Sequence, residues 1–479
     1  MKLRSLLFLS FLSTSALAHN DDGYSHDASN MDYNQQTWMS DLSDKAQLSQ
    51  LSIPGTHDSG SRYGGAAIEN QAMTISQQLN AGIRYLDIRV RHIDNAFAIH
   101  HGLKYQHLNF DDVMTSVTQF LDAYPSETVI MRLHEEYKAD NNTRSIDETM
   151  DSYIKKYQNY FYRNPHQNFE RNPVMDALRG KIFVIWDNFS DTGMAPVTGT
   201  YLNSVKMQDA YHVKTNWDLY NKWEIIKKFI NDNKSTEEVS LNHLSASGGS
   251  FPYFIASGHS SAGTTAPRLS TGLTTPGWKH KYPDFPRVSC FIGICTIAFE
   301  GTNTLTKNYL NANQIERTGI IAADFPGKGL IKAIINKNFF EVKRYKSTQS
   351  NKCITNLGNS AATLQSCNKE TLPKQKISQI NGQIRQQSLC LTAAGILNNS
   401  AVLFSACHNG ESQKWTEEGN QLVNMQKGNR LCLTTPQNSQ KLTIRTCDRS
   451  NAGQYFAPLT ESSSLDKTST STSMLIAPR

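Results

Sequence analysis

Three short stretches of the chain hold residues able to do acid–base chemistry. In LSIPGTHDSG (51–60), His57 and Asp58 follow a Pro-Gly turn. In GIRYLDIRVR (82–91), Asp87, Arg89 and Arg91 alternate with Leu86, Ile88 and Val90. In AFAIHHGLKY (96–105), His100 and His101 precede Gly102. One imidazole can take a proton near neutral pH while a second gives one up. A guanidinium can hold a phosphate through two parallel hydrogen bonds. Carboxylates beside the imidazoles fix the tautomer and favour the imidazolium. This set suits in-line attack on a phosphodiester, with Arg89 supplying positive charge in place of a metal or cofactor. A calcium cage would need more converging carboxylates than these stretches assign. The plainer alternative is structural: an Asp87–Arg89 ion pair offsetting the cost of a polar strand face, and histidines satisfied in the core.

The elements around these stretches must place them at one end of a sheet. Ser76 to Ala81 predicts the end of a helix stopped by Gly82, and Ile83 to Arg91 a strand with two chemically distinct faces. Asp111 predicts an N-cap for a helix carrying Val113, Val117, Phe120 and Leu121, ended by Pro125. Thr128 to His134 and Lys181 to Trp186 predict buried strands, as does the apolar run from Phe291 to Phe299. Trp217 to Asn233 and Gly329 to Asn338 predict helices. Strands alternating with helices imply a parallel sheet, and this length suits a closed (β/α) barrel with its chemistry at the strand C-terminal ends. "IPGTH" and "IHHG" then each carry a histidine, His57 and His101, to such an end.

The C-terminal third repeats itself. Cys353-Ile-Thr, Cys390-Leu-Thr and Cys432-Leu-Thr each precede a second cysteine, at Cys367, Cys407 and Cys447. The units end in Gln375-Lys-Ile, Gln413-Lys-Trp and Gln454-Tyr-Phe, giving a period of about forty residues of short strands. Repetition favours Cys353–Cys367, Cys390–Cys407 and Cys432–Cys447 over other connectivities, which spacing alone leaves open. Cys290 and Cys295 suit a small disulfide loop, with two buried thiols as the alternative.

Residues 1–18, with Lys2, Arg4, an apolar centre and Ala16-Leu-Ala, have the form of a secretory signal peptide, which makes the mature chain an exported one in which disulfides are allowed. Losing those two cations would take the formal charge from +6 to +4, mildly basic and scattered, with no nucleic-acid footprint. The Ser/Thr-rich residues 460–479 predict a disordered tail. Aromatics beside turns in GGSFPYF (248–254) and TPGWKHKYPDF (275–285) are candidate interfacial loops.

Residues 32–338 resemble the bacterial phosphatidylinositol-specific phospholipase C family of X-domain type. IPGTHDSG, GIRYLDIRVR, IHHGL and YPSETVIMRLHEEY, then VKMQDAYHV, LNHLSASGG and IIAADFPG, run in the order of that family's signatures. The resemblance implies a distorted TIM-like barrel acting on phosphatidylinositol at a membrane surface without a metal, giving diacylglycerol and inositol 1,2-cyclic phosphate. It casts His57 as general base, His101 as general acid and Arg89 as the phosphate-binding cation. It also implies that Asp324 supports the base, Asp58 and Asp87 support the acid, and Asp209 and Tyr211 lie at the inositol pocket. Two departures are visible: His134 stands where close relatives usually have lysine, and Asp187-Asn188 where the family carries a basic residue toward the inositol.

Residues 341–459 resemble the ricin B-type β-trefoil lectins, an all-β fold whose ligand here would be a glycan or a glycosyl-phosphatidylinositol. Sugar-binding repeats of that family usually carry an aspartate just after the first cysteine segment, a position this chain lacks in all three units. Two other readings compete. One is a metal-dependent glycerophosphodiester or sphingomyelin-type phosphodiesterase on the same barrel. The other is an inactive, secreted glycan- or lipid-binding protein.

Overall fold

The computed structural model describes residues 22–461 apart from 165–170, 190–196, 234–236, 279, 314, 340–341, 359–360, 369–373, 381, 387–388 and 409. The leader at 1–18 and the tail from 462 onward lie outside the described residues. In chain order the N-terminal strands are β1 (Ser52–Thr56), β2 (Tyr85–Ile93), β3 (Ala96–His101), β4 (Lys104–Asn109), β5 (Val129–Glu135), β6 (Ile182–Asp187), β7 (Gly199–Tyr201) and β8 (Lys206–Gln208). They are followed by β9 (His212–Val213), β10 (Ser240–His243), β11 (Ser247–Gly248), β12 (Ser270–Thr274), β13 (Arg287–Phe291), β14 (Ile294–Ala298) and β15 (Gly319–Ala323).

Among the described residues, one ten-stranded sheet runs in the order β7-β6-β5-β2-β1-β15-β10-β8, with β3 and β4 added as an antiparallel flap on β2. The strands along that path pair in parallel. No ladder joins the two ends, β7 and β8, among the described residues, so the barrel is distorted and open there. Parallel strands are covered on both faces, and β1, β5, β6 and β15 are accordingly buried along most of their length.

The covering helices are α1 (Ile75–Asn80), α2 (Phe110–Ala123), α3 (Ile146–Lys156), α4 (Met175–Leu178), α5 (Asp218–Asp232), α6 (Pro252–Ser257), α7 (Thr302–Ala312) and α8 (Lys328–Ile335). None is long and apolar enough to cross a membrane. In α2 the predicted apolar stripe Val113, Val117, Phe120 and Leu121 is buried, but the N-cap is Asn109, not Asp111. The amide of Asn109 donates to the Asp112 carboxylate, so the capping box begins two residues earlier. Asp111 instead accepts from Lys156 and Tyr157 of the neighbouring α3 end.

The N-terminal ends of the strands are closed by a buried ion pair. Arg84, just before β2, donates through Nε and Nη2 to Glu127 Oε2, just before β5, at 3.0 and 2.8 Å. Its remaining donors reach the carbonyls of Leu79, Ile83, Gln35 and Gln36, and its guanidinium lies over the Phe120 ring. Both side chains are fully buried.

The expectation of a buried strand over 291–299 is corrected. The segment is a hairpin, β13–β14, turning at Ile292-Gly293, and β12 completes a three-stranded sheet. Only Ile297 to Phe299 are buried, while Phe291 and Ile292 are 70% and 84% exposed. Cys290 and Cys295 are disulfide-bonded across the turn. Glycine and a positive φ at Ile292 and Gly293 allow the reversal that an apolar run by itself does not signal.

The C-terminal third forms three four-stranded antiparallel sheets, the arrangement of a β-trefoil. Each of its predicted disulfides is present, Cys353–Cys367, Cys390–Cys407 and Cys432–Cys447. Ile377, Trp415 and Phe456, the third residues of the Gln-x-apolar units, share one core. The glutamines form a repeated tie. Gln375, Gln413 and Gln454 donate to the hydroxyls of Thr355, Thr392 and Thr434 at 3.0, 2.9 and 3.3 Å. Each threonine in turn donates to the carbonyl of the cysteine two residues earlier.

Candidate active site

β1 and β15 pair in register up to Thr56 and Ala323, so the next residues, His57 and Asp324, emerge side by side. His57 Nδ1 lies 2.8 Å from Asp324 Oδ1. Asn70 also donates to that oxygen, Asn303 donates to the Asp324 carbonyl, and Gln71 holds the His57 carbonyl. On the other side of the ring, Arg89 Nη2 lies 2.8 Å from His57 Nε2. A guanidinium only donates, so Nε2 must accept and the ring proton must sit on Nδ1, facing Asp324. The resting imidazole is therefore neutral, with its lone pair directed into the site, as a general base requires.

Arg89 leaves β2 amid carboxylates: Asp87 at 3.4 Å, Glu136 at 3.5 Å and Asp58 at 3.8 Å. Burial alone would favour loss of its proton, but these three charges hold it firmly cationic. Asp58 adopts φ 41°, a left-handed conformation that aspartate tolerates in tight turns, and its carboxylate is fully buried. That turn sets Asp58 Oδ2 3.1 Å from His101 Nδ1, with the Ser61 hydroxyl 3.2 Å from the same nitrogen. Gly102, at φ 55°, turns the chain sharply after His101. His100 is buried on the opposite side, where its Nδ1 lies 3.3 Å from the Gly102 carbonyl.

Burial opposes the charged form of His101, yet contact with Asp58 and the nearby Glu136 more than offset it, so its pKa is raised. The imidazolium needed by an acid thus persists to higher pH and is lost as pH rises through that pKa. Asp58→Asn is expected to lower the His101 pKa and move the alkaline limb of the kcat/KM profile to lower pH. A pH series on a water-soluble inositol phosphodiester checks this. An unmoved limb would detach Asp58 from His101.

Asp87 does not touch His101. It accepts from Arg132 at 2.8 Å, from the Asp58 amide at 3.0 Å and from Arg89 at 3.4 Å. Although buried, it is held well below the usual carboxylate range by Arg132 and Arg89. Its support of the acid is therefore one residue removed, through the Asp58 backbone. Arg132 also bonds Asp187 at 2.5 Å, and Asp187 lies 2.9 Å from His134 Nδ1. Asp209 and Tyr211 sit exposed on the loop after β8, and the Asp209 carboxylate acts on the buried Lys222 together with Asp324.

Several residues here escaped sequence reasoning. Arg132 and Glu136 carried a signal: Arg132 and His134 alternate along β5, in register with Asp87 and Arg89 of β2, and Glu136 continues the alternation one residue past the strand end. His243 carried none. It ends β10 fully buried, its ring edge-on to His57 at 5.7 Å, and burial pushes its pKa well down, leaving it neutral. Behind it Lys222 is buried too, its pKa pushed down to about 8.

Residues 45–187 match the family model "Phosphatidylinositol-specific phospholipase C, X domain", and residues 342–456 match "Ricin-type beta-trefoil lectin domain". A 1-phosphatidylinositol phosphodiesterase of Listeria monocytogenes is 30% identical over 325 residues, spanning 63% of this chain and 85% of that protein. One from Staphylococcus aureus is 29% identical over 254 residues, spanning 47% of this chain and 80% of its own length. The solved phosphatidylinositol-specific phospholipase C of Listeria monocytogenes aligns over 64% of this chain and 98% of its own, at 27% identity and a TM-score of 0.46. Barrel and site together define an α/β-barrel phosphodiesterase. The chain belongs to the phosphatidylinositol-specific phospholipase C family, here joined to a ricin-type β-trefoil.

Proposed function

We propose that the chain is a secreted phospholipase C that cleaves phosphatidylinositol to diacylglycerol and inositol 1,2-cyclic phosphate without a metal. The line Asp324–His57–Arg89 carries this reading. A phosphate arriving at Arg89 draws the guanidinium off Nε2 and frees that lone pair for the inositol 2-hydroxyl. His57 takes the hydroxyl proton, the 2-oxygen bonds to phosphorus, and the bond from phosphorus to the glycerol oxygen breaks. His101, charged through Asp58, protonates the departing oxygen. Reversing the two histidine roles lets water open the cyclic product more slowly.

Arg89 sets a fixed cation amid Asp58, Asp87 and Glu136, which supports the metal-independent reading over the metal-dependent one. His134, paired to Asp187, and the exposed Asp209 and Tyr211 would meet the inositol ring. With Asp187 neutralising Arg132, little free positive charge remains at this rim, which suits an unphosphorylated headgroup. Four disulfides suit an oxidising, extracellular or periplasmic setting. The trefoil would hold the enzyme on a glycan-bearing or inositol-lipid surface. Its three repeat threonines are buried and tied to glutamines, so a carboxylate-based sugar contact at those positions is absent.

The test is release of water-soluble inositol phosphate from phosphatidylinositol vesicles in EDTA. Wild type is expected to stay active, and Arg89→Lys to lose about two to three powers of ten in kcat, since lysine cannot reproduce the planar fork. Activity that appears only with added metal would overturn the reading.

A further inference from the structure

Of the two candidate interfacial loops, the 275–285 segment is packed inward, while Phe251 of the 248–254 segment stays 47% exposed. Trp278, Tyr282 and Phe285 of the 275–285 segment stack inward, against Trp217, Tyr220 and Phe299. They form a packed base for the β12–β14–β13 sheet. At the tip of that sheet three apolar groups are left in water within one turn: Phe291, Ile292 and Ile294, at 70%, 84% and 44% exposure. No charged residue lies between Val288 and Ala298. Three large side chains exposed within four residues, on a loop closed by the Cys290–Cys295 disulfide, cost solubility without contributing to the core.

The hairpin is inserted between β10 and α7, in the loop region that follows a strand C-terminal end. Such loops rise from the face on which His57, Arg89 and His101 lie. Its anchor reaches that face directly. Leu269 pairs with Gly258 and Phe299, while His259, beside Gly258, packs edge-on to Tyr24, which packs on Phe325 next to Asp324. Around the base, Asp284 is paired to Lys227 and Glu300 to Arg268, while the exposed Lys281, over the Trp278 ring, has no carboxylate in ion-pair range among the described residues.

We propose that the disulfide-closed tip, Phe291 to Ile294, inserts into the lipid bilayer beside the bound substrate. The occupant is a membrane, not a protein, because the tip is a narrow projection and the flanking charge is cationic. It also lies on the face that must approach a lipid whose acyl chains remain in the bilayer, an argument that rests on the lipid-substrate reading above. The disulfide holds the turn open as a rigid wedge, so the apolar groups cannot fold back onto the protein, and less order is lost on insertion.

The test compares the full chain with Phe291→Ser/Ile292→Ser/Ile294→Ser. Cosedimentation uses vesicles of phosphatidylcholine and phosphatidylglycerol, anionic but free of inositol lipid, so binding is read apart from turnover. Partitioning is expected to fall about tenfold to a hundredfold. Cleavage of a water-soluble inositol phosphodiester should stay within about twofold, since none of the three residues touches the site. Equal vesicle binding by both proteins would overturn the proposal. So would loss of self-association in place of lost binding. If neither protein cleaves the soluble diester, the phospholipase reading fails while the vesicle result still decides the role of the hairpin. As a second measure, Ile292→Trp is expected to add a component of emission that shifts to the blue with vesicles, and no shift would also overturn it.

Discussion

Asp324→Asn is expected to lower kcat by about three to four powers of ten while leaving the fold intact. The substitution keeps the shape but reverses one hydrogen bond. An asparagine turned to keep its oxygen toward Nδ1 retains the tautomer but loses the charge that stabilises the imidazolium. Turned the other way, its amide donates to Nδ1 and forces the ring proton onto Nε2. That proton would then face the guanidinium of Arg89, now 2.8 Å from that nitrogen and without any lone pair to offer. The first outcome weakens the base and the second removes it. Single-turnover cleavage, with circular dichroism to check folding, separates this from a structural loss. Near-wild-type turnover would show that the proton on His57 is not set by Asp324.

The second large effect is on stability. Glu127→Gln is expected to destabilise the barrel by about 3–5 kcal/mol, because it leaves the Arg84 guanidinium buried without a counter-charge. Burial already works against that cation, and Glu127 is the charge that offsets it. The Met39 amide, which donates to the same carboxylate oxygen, and four carbonyls around Arg84 tie the N-terminal segment and the α1–β2 turn to this pair. A urea titration followed by a signal from the barrel, such as retained diester cleavage, measures the shift. A midpoint within error of wild type would mean that the amide is accommodated with Arg84 re-solvated. The pair sits at the strand N-terminal ends, so kcat below the transition should change little.

Sequence reasoning reached those parts of the fold whose signal is local. The alternation around Asp87 and Arg89 marked β2, the "KIFVIW" run marked β6, and the repeated cysteines and glutamines marked the trefoil units. His57, Arg89, Asp58 and Asp324 lie together because β1, β2 and β15 are neighbours, a pairing between residues more than two hundred positions apart. That adjacency came from ordered motif resemblance, not from periodicity. What stayed hidden depends on three-dimensional burial. His243 sits in an ordinary-looking "LNHL", and only the packing of β10 beside β15 brings it edge-on to His57. The run at 291–299 misled because apolar content signals burial only where there is something to bury against. Asp87 was assigned to His101 by likeness, whereas side-chain geometry directs it to Arg132.

The cysteines are bonded in consecutive pairs along the chain, first to second, third to fourth and so on. No bridge spans another, and none links the barrel to the trefoil. A chain threading into an oxidising compartment amino end first would therefore meet each partner before the next thiol appears. Wrong pairings would be scarce at every stage, and maturation could run in order without the slow reshuffling that interleaved bridges impose.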